Sequence, residues 1–509
     1  VQRAVVIGTN RVLEQAGLWL LLGALGGLQT AMPAPSASAA GEHWVATWTM
    51  SPMPADALPD GENKGLTNQT LREVAHVSIG GRRLRLRVSN AYGSAPLTVG
   101  AAHVALHAQG PSIVPGSDHR LTFHGGASVV IPPGALMLSD PIDWDVAPLS
   151  DLAVSIFLPD ATGPLTWHQL GTQTTYLSTP GDVTAAADFP VAGTSTSLFV
   201  LAGIDVRAPR TTGAIVALGD SITDGYASTK DAFRRWPDQL SQRLNQGAAG
   251  PTLAVLNQGI SGNRLLHDVI GPNALARFDR DVLAQPGVTQ VIVLEGINDI
   301  GLPGAFNRPG EAVSSDDLCG ALTQLIERAH GQGLRIYGAT LTPFEGSGEP
   351  YYSADGEAKR QALNDWIRRR APFDGVLDFD RVLRDPDHPT RMQPAYDSGD
   401  HLHPNDAGYQ AMAASVDLRL LDLRRRHARS LRYRAGPDLK GTAPALDATS
   451  APSEWRHRGG WSRHSASGSR RWTAPAARIP PVGRDAAGRG PGHPASPAPL
   501  ATGRRAWAS

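Results

Sequence analysis

From about Glu42 to Arg210 the chain alternates apolar and polar residues with the two-residue period of half-buried strands. In the run Arg82-Arg83-Leu84-Arg85-Leu86-Arg87-Val88, the leucines and valine share one face and Arg83, Arg85 and Arg87 share the other, directly after the hairpin signal Gly80-Gly81. One face of that strand is expected to be dry and the other wet. Similar runs at Ala102 to His107, Ser128 to Ile131 and Leu152 to Leu158 are separated by turn residues such as Pro132-Pro133-Gly134. Short strands between such breaks predict an antiparallel β-sandwich over residues 42–210, jelly-roll-like in outline.

At Gly213 the rhythm changes. Ala214 to Leu218, Leu253 to Leu256, Val291 to Leu294, Leu334 to Tyr337 and Gly375 to Leu377 are short apolar runs of the kind a parallel sheet buries on both faces. Helical patterns separate or follow them at Asp231 to Leu244, Asn273 to Leu283, Ser315 to His330, Ala354 to Arg370 and Asn405 to Leu423. Five strands alternating with five helices predict an α/β domain with a parallel five-stranded sheet over residues 211–428. In such sheets ligands gather beyond the carboxyl ends of the strands, so the residues just after each strand hold the candidate chemistry.

The two ends of the chain follow neither pattern. Arg3 and Arg11 precede the apolar run Ala16 to Leu25, and Ala37-Ser38-Ala39 offers a small-residue cleavage site, so residues 1–39 are expected to be a signal peptide of a secreted or periplasmic protein. That run is short for a membrane span, which takes about 20 apolar residues, and no stable membrane anchor is expected. Over residues 430–509 apolar periodicity is lost, and thirteen Lys and Arg stand against four Asp and Glu. The composition predicts a disordered Arg/Pro/Ala/Gly-rich tail, with a wall- or nucleic-acid-binding segment as the alternative.

Composition narrows the function classes. Lys plus Arg and Asp plus Glu each total 47, which gives no reason to expect nucleic acid or an anionic surface as partner of the whole chain. The single cysteine, Cys319, excludes an intrachain disulfide and argues against a cysteine-rich zinc site. It lies in a helical pattern and reads as a packing residue. The 41% apolar content is that of a chain able to build a large core.

Four segments after strands carry residues suited to chemistry. Gly219-Asp220-Ser221-Ile222-Thr223-Asp224-Gly225 sets a serine at the end of the first parallel strand, a position equally suited to ordinary helix capping. Asn257-Gln258-Gly259-Ile260-Ser261-Gly262-Asn263 turns on glycines and leaves a backbone N–H at the same rim. In Glu295-Gly296-Ile297-Asn298-Asp299, Asn298 offers a side-chain amide, and Asp299 suits a loop brace or a cap. In Asp400-His401-Leu402-His403-Pro404-Asn405 a carboxylate three residues before an imidazole can hold its Nδ1–H and leave Nε2 for a serine. Metal binding by the two histidines is the alternative, but no further ligands of suitable spacing accompany them. Each segment is weak evidence alone. Together they supply a hydroxyl, backbone N–H donors, an amide and an Asp-His pair on one sheet edge, the parts acyl transfer needs, with no cofactor and no metal.

These four blocks resemble those of the SGNH/GDSL hydrolase superfamily. The resemblance covers roughly Gly213 to Leu423 and implies a flavodoxin-like hydrolase domain. It also implies Ser221 as nucleophile, His403 and Asp400 as the rest of a catalytic triad, and Ser221, Gly262 and Asn298 as oxyanion-hole donors. Trp44 to Trp48 and Leu84 to Asn90 are similar to a β domain that precedes the hydrolase in a bacterial subgroup. The implied activity is a serine carboxylic-ester hydrolase acting on a small ester or on an acylated carbohydrate or lipid. A polysaccharide O-acetyl esterase and a non-catalytic glycan- or wall-binding protein are the other readings.

Overall fold

The computed structural model describes residues 41–55, 63–246 and 253–421, so the signal peptide expected at 1–39 and the disordered tail expected at 430–509 lie outside the described residues. Among the described residues no helix is long and apolar enough to cross a membrane.

The amino-terminal part is antiparallel β throughout its main sheets. One sheet has Gly81–Ser89 and Leu201–Pro209 at its centre, with Glu42–Thr49 on one side and Leu136–Leu138 and Ile142–Val146 on the other. The second has six strands and is centred on Gln69–His76 and Asp151–Leu158. Leu84, Leu86, Val88 and Ile204 from the first pack in one core with Leu71, Val104, Val154 and Ile156 from the second. The alternation seen in the sequence is therefore the inner face of a two-sheet sandwich.

The expectation of a wet outer face fails at Arg87, which is buried. Its Nε lies 3.1 Å from Asp205 Oδ1, itself fully buried, and its Nη1 donates to Gln285 Oε1 at 2.8 Å. Arg85 reaches the same aspartate at 3.0 Å and lies over the Trp44 ring at 4.2 Å. The reason is tertiary, because the α/β part covers this side of the sheet. Val45, Ala46, Val206 and Ala208 share a core with the parallel sheet, and the Ala46 N–H donates to the Pro286 carbonyl at 2.9 Å.

The carboxy-terminal part has a parallel five-stranded sheet in the order Leu253–Gly259, Gly213–Gly219, Val288–Leu294, Arg335–Ala339, Gly375–Leu377. In sequence order this is 2-1-3-4-5, the flavodoxin-like arrangement. Its strand order reverses between Gly213–Gly219 and Val288–Leu294, and a crevice opens at such a switch point. Every residue from Gly213 to Gly219 is buried, as expected of a central strand covered on both faces.

Helix limits differ from expectation in three places. The helix expected from Asp231 begins at Trp236, because Asp231 and Phe233 take left-handed backbone angles, and Asp238 accepts from the Arg235 N–H at 3.2 Å to start the helix with Pro237 in its first turn. The last helix stops at Ser415 rather than running to Leu423. There the chain turns under the sheet, where Tyr337 Oη donates to the Leu420 carbonyl at 2.7 Å and Gln290 Nε2 to the Leu421 carbonyl at 2.9 Å. Ile297–Ala305 forms a helix the apolar pattern did not reveal, so Asn298 and Asp299 sit in a first helical turn rather than in a loop.

Candidate active site

The first parallel strand delivers Ser221. Asp220 caps the one-turn helix Ser221–Asp224 by accepting from the Ile222 N–H at 2.9 Å, and Gly225 closes it in a left-handed conformation. Gly219 is required by crowding, since a Cβ there would lie 2.2 Å from Thr223 Oγ1 and 2.6 Å from the Leu294 carbonyl oxygen. This close approach seats the turn directly on the switch point.

The structure brings Ser221, His403 and Asp400 together across 182 positions of sequence. Ser221 Oγ is 2.7 Å from His403 Nε2, and His403 Nδ1 is 2.6 Å from Asp400 Oδ2. The other Asp400 oxygen accepts from the backbone N–H groups of Leu402 at 2.9 Å and His403 at 2.8 Å, which fixes the carboxylate relative to the ring. Burial alone would push the Asp400 carboxyl up, but the hydrogen bond and charge of His403 outweigh it and hold the carboxyl well below the usual carboxylate range. The Tyr226 ring packs against His403 with centroids 4.4 Å apart, and Tyr409 Oη donates to the Tyr226 carbonyl at 2.7 Å. The second histidine of the motif, His401, has its own partner in Asp397 at 2.5 Å. Among the described residues no group of three or more His, Cys, Asp and Glu is arranged to hold a metal ion.

Gly262 stands on the loop after the second parallel strand in sequence, and Asn298 in the first turn of the helix Ile297–Ala305. Gly262 has φ of +79°, a left-handed angle that favours glycine, and a Cβ would also meet Ile270 Cδ1 at 2.4 Å. Among the described residues the backbone N–H groups of Ser221 and Gly262 donate to no acceptor, so both are free for a substrate oxygen. Asn298 is buried; its Nδ2 donates to the Asn263 carbonyl at 3.0 Å, and its Oδ1 accepts from Tyr351 Oη at 2.9 Å. These two bonds settle which way the amide points and leave one N–H of the NH₂ group unspent. Asp299 braces the second loop by accepting from Leu265 N–H at 2.7 Å and Leu266 N–H at 3.0 Å, and burial pushes its carboxyl up to about 6.

Sequence reasoning missed the layer beneath. Arg277 is fully buried and ties the end of the first parallel strand to the second segment, with Nη2 donating to the Gly219 carbonyl at 2.9 Å, Nη1 to the Gln258 carbonyl at 2.7 Å and Nε to Asn263 Oδ1 at 2.9 Å. Asp220 and Glu295 each follow one of the register partners Gly219 and Leu294 on adjacent strands. Asp220 Oδ2 and both Glu295 carboxyl oxygens are buried without a hydrogen-bond partner among the described residues. Burial and the neighbouring carboxylates push Asp220 up to about 7 and Glu295 well above the ordinary range. No sequence signal pointed to Tyr351, but Glu295 stood in the third block unweighed.

Residues 217–411 match the GDSL-like Lipase/Acylhydrolase family. The α/β part is an SGNH/GDSL hydrolase domain. No curated protein matches the chain. Solved structures similar to it include a GDSL-like lipase from Bacteroides thetaiotaomicron, 22% identical over 41% of this chain and 87% of that one, with a TM-score of 0.32. An alpha/beta hydrolase enzyme from the metagenome of Lake Arreo is 23% identical over 41% of this chain and 94% of its own, with a TM-score of 0.32. An acetyl xylan esterase from Geobacillus stearothermophilus is 21% identical over 42% of this chain and 96% of its own, also with a TM-score of 0.32. In the hydrolase domain, all four blocks read from the sequence fall inside the matched residues.

Proposed function

We propose that the chain is a serine carboxylic-ester hydrolase that works through an acyl-enzyme, acting after export as its leader predicts. The observation that carries this reading is the unbroken contact path from Ser221 Oγ to His403 Nε2 and from His403 Nδ1 to Asp400. His403 takes the Ser221 proton as Oγ attacks the ester carbonyl, and the resulting imidazolium is stabilised by an ionised Asp400. The oxyanion is met by the N–H groups of Ser221 and Gly262 and by the spare N–H of Asn298. His403 then passes its proton to the leaving alcohol, and water activated by the same ring releases the acid.

The test is labelling with a fluorophosphonate probe, which requires an activated serine, together with hydrolysis of p-nitrophenyl acetate. Wild type should be labelled and active, while Ser221→Ala should lose both and keep its melting curve. Turnover surviving in Ser221→Ala overturns the reading. The acyl and alcohol preference is read by comparing p-nitrophenyl acetate, butyrate and long-chain esters with acetylated xylan.

A further inference from the structure

His168 lies on the short strand Trp167–His168 of the antiparallel part, far from the four blocks in sequence, and is buried. Both its ring nitrogens face acceptors. Nδ1 is 3.0 Å from the Ser51 carbonyl oxygen, and Nε2 is 2.9 Å from Asp224 Oδ1. A neutral imidazole carries one N–H and one lone pair, so in that form one of these contacts would set a lone pair against an acceptor in a buried site. Only the imidazolium satisfies both.

Asp224 ends the helical turn that begins with Ser221. Its second oxygen, Oδ2, accepts from the Ser261 N–H at 2.9 Å and from Ser261 Oγ at 2.7 Å. Ser261 immediately precedes Gly262, whose free N–H faces no acceptor among the described residues. The second loop is thus held to the serine turn by one carboxylate, and that carboxylate is held from behind by the antiparallel part.

We propose that His168 is a positioning residue: a buried imidazolium that, through Asp224, fixes the Ser261-Gly262 loop as an oxyanion donor, so that the antiparallel part completes the active site rather than merely adjoining it. This rests on the esterase reading above. The charged groups facing the ring are Asp224 from the serine turn and Arg235, whose guanidinium opposes the imidazolium but is itself paired with Asp238 at 2.7 Å. Burial lowers the ring's affinity for its proton, yet the charge and hydrogen bond of Asp224 and the Ser51 carbonyl more than reverse this, and the pKa is raised. A histidine with a raised folded-state pKa contributes its stabilisation below its unfolded value and loses it as pH rises through the folded one. The clamp is therefore strongest while the ring keeps its proton and is released as pH rises through the raised pKa.

Two measurements on the full chain test this. The first is nitrogen NMR of histidine-labelled wild type at pH 7.5, with the His168 signals assigned by their loss in His168→Gln. Two protonated ring nitrogens are expected, and a neutral ring overturns the proposal whatever the activity. The second is a kinetic cycle on p-nitrophenyl acetate with active sites counted by fluorophosphonate. His168→Gln and Asp224→Asn should each lower kcat about tenfold, the worth of roughly one charge-assisted hydrogen bond, with KM little changed. His168→Gln should also lose the alkaline fall in kcat, and the double variant should be no slower than the slower single. Effects that multiply, or an alkaline limb that persists in His168→Gln, overturn the proposal. Failure of wild type to label at Ser221 would instead remove the esterase reading and leave the nitrogen result standing; if either variant fails to fold, the wild-type nitrogen measurement still decides.

Discussion

The two regions bury charge in opposite ways. On the seam face of the antiparallel sheet, Asp205 is fully buried between Arg85 and Arg87, so the carboxylate has guanidinium partners at 3.0 and 3.1 Å. Beneath Ser221, Asp220, Glu295 and Asp299 cluster near Arg277, and three of their carboxyl oxygens have no hydrogen-bond partner among the described residues. The first arrangement balances charge and serves as structure. The second crowds carboxyls away from water and beside one another, which pushes their pKa values up, a feature common at functional sites. Within one molecule buried carboxyls thus face opposite charge in one place and like charge in another, and the sign of the neighbour rather than the hydrogen-bond count separates them, since Asp205 Oδ1 and Arg87 Nε also lack a hydrogen-bond partner among the described residues.

Breaking the seam should give the largest effect. Arg87→Ala leaves Asp205 with one partner, and removing one member of a buried pair costs about 3–5 kcal/mol; urea unfolding monitored by fluorescence reads this directly. A loss below about 1 kcal/mol would class the pair with exposed ones. Next comes the site itself. Asn298→Ala should lower kcat by about a hundred- to a thousandfold, the usual cost of one oxyanion donor, in steady-state kinetics with little change in unfolding; an unchanged kcat would show that the amide does not meet the oxyanion.

Tyr351→Phe removes only the bond that orients Asn298. It should lower kcat about fivefold, as befits a net hydrogen bond of roughly 1 kcal/mol, and have no further effect in an Asn298→Ala background. The smallest effect is expected from Glu295→Gln. A carboxyl with a raised folded-state pKa keeps a proton the unfolded chain has released, so wild type loses stability as pH rises from the unfolded value through the folded one. The neutral side chain escapes this, and its Tm should exceed that of wild type by about 2–4 °C at pH 8, the shift ~1 kcal/mol produces in a domain of 150–250 residues. The gap should shrink at pH 5. A gap that is equal at both pH values would mean that Glu295 is ionised throughout.

Much of the candidate site's geometry was legible before any coordinates. Ser221, Gly262, Asn298 and the Asp400-His403 pair each follow or end a segment whose apolar run marks it as a strand or whose period marks the next helix, and the rule that parallel sheets gather function at strand carboxyl ends does the rest. Tyr351 and His168 were not legible, because each acts on a residue more than fifty positions away. Arg87 was read as wet because alternation reports one-sided burial and is silent about a second covering layer.

Local sequence thus sufficed for the elements, the order of the parallel strands' chemistry and the inner face of the sandwich, since these depend on near-neighbour periodicity and turn preference. The tertiary arrangement alone decided which charged face became a seam, which tyrosine steers Asn298 and which histidine braces the serine turn. Those contacts join chain segments that share no pattern, and they form because packing removes water from between them and makes a partner valuable to a buried polar atom.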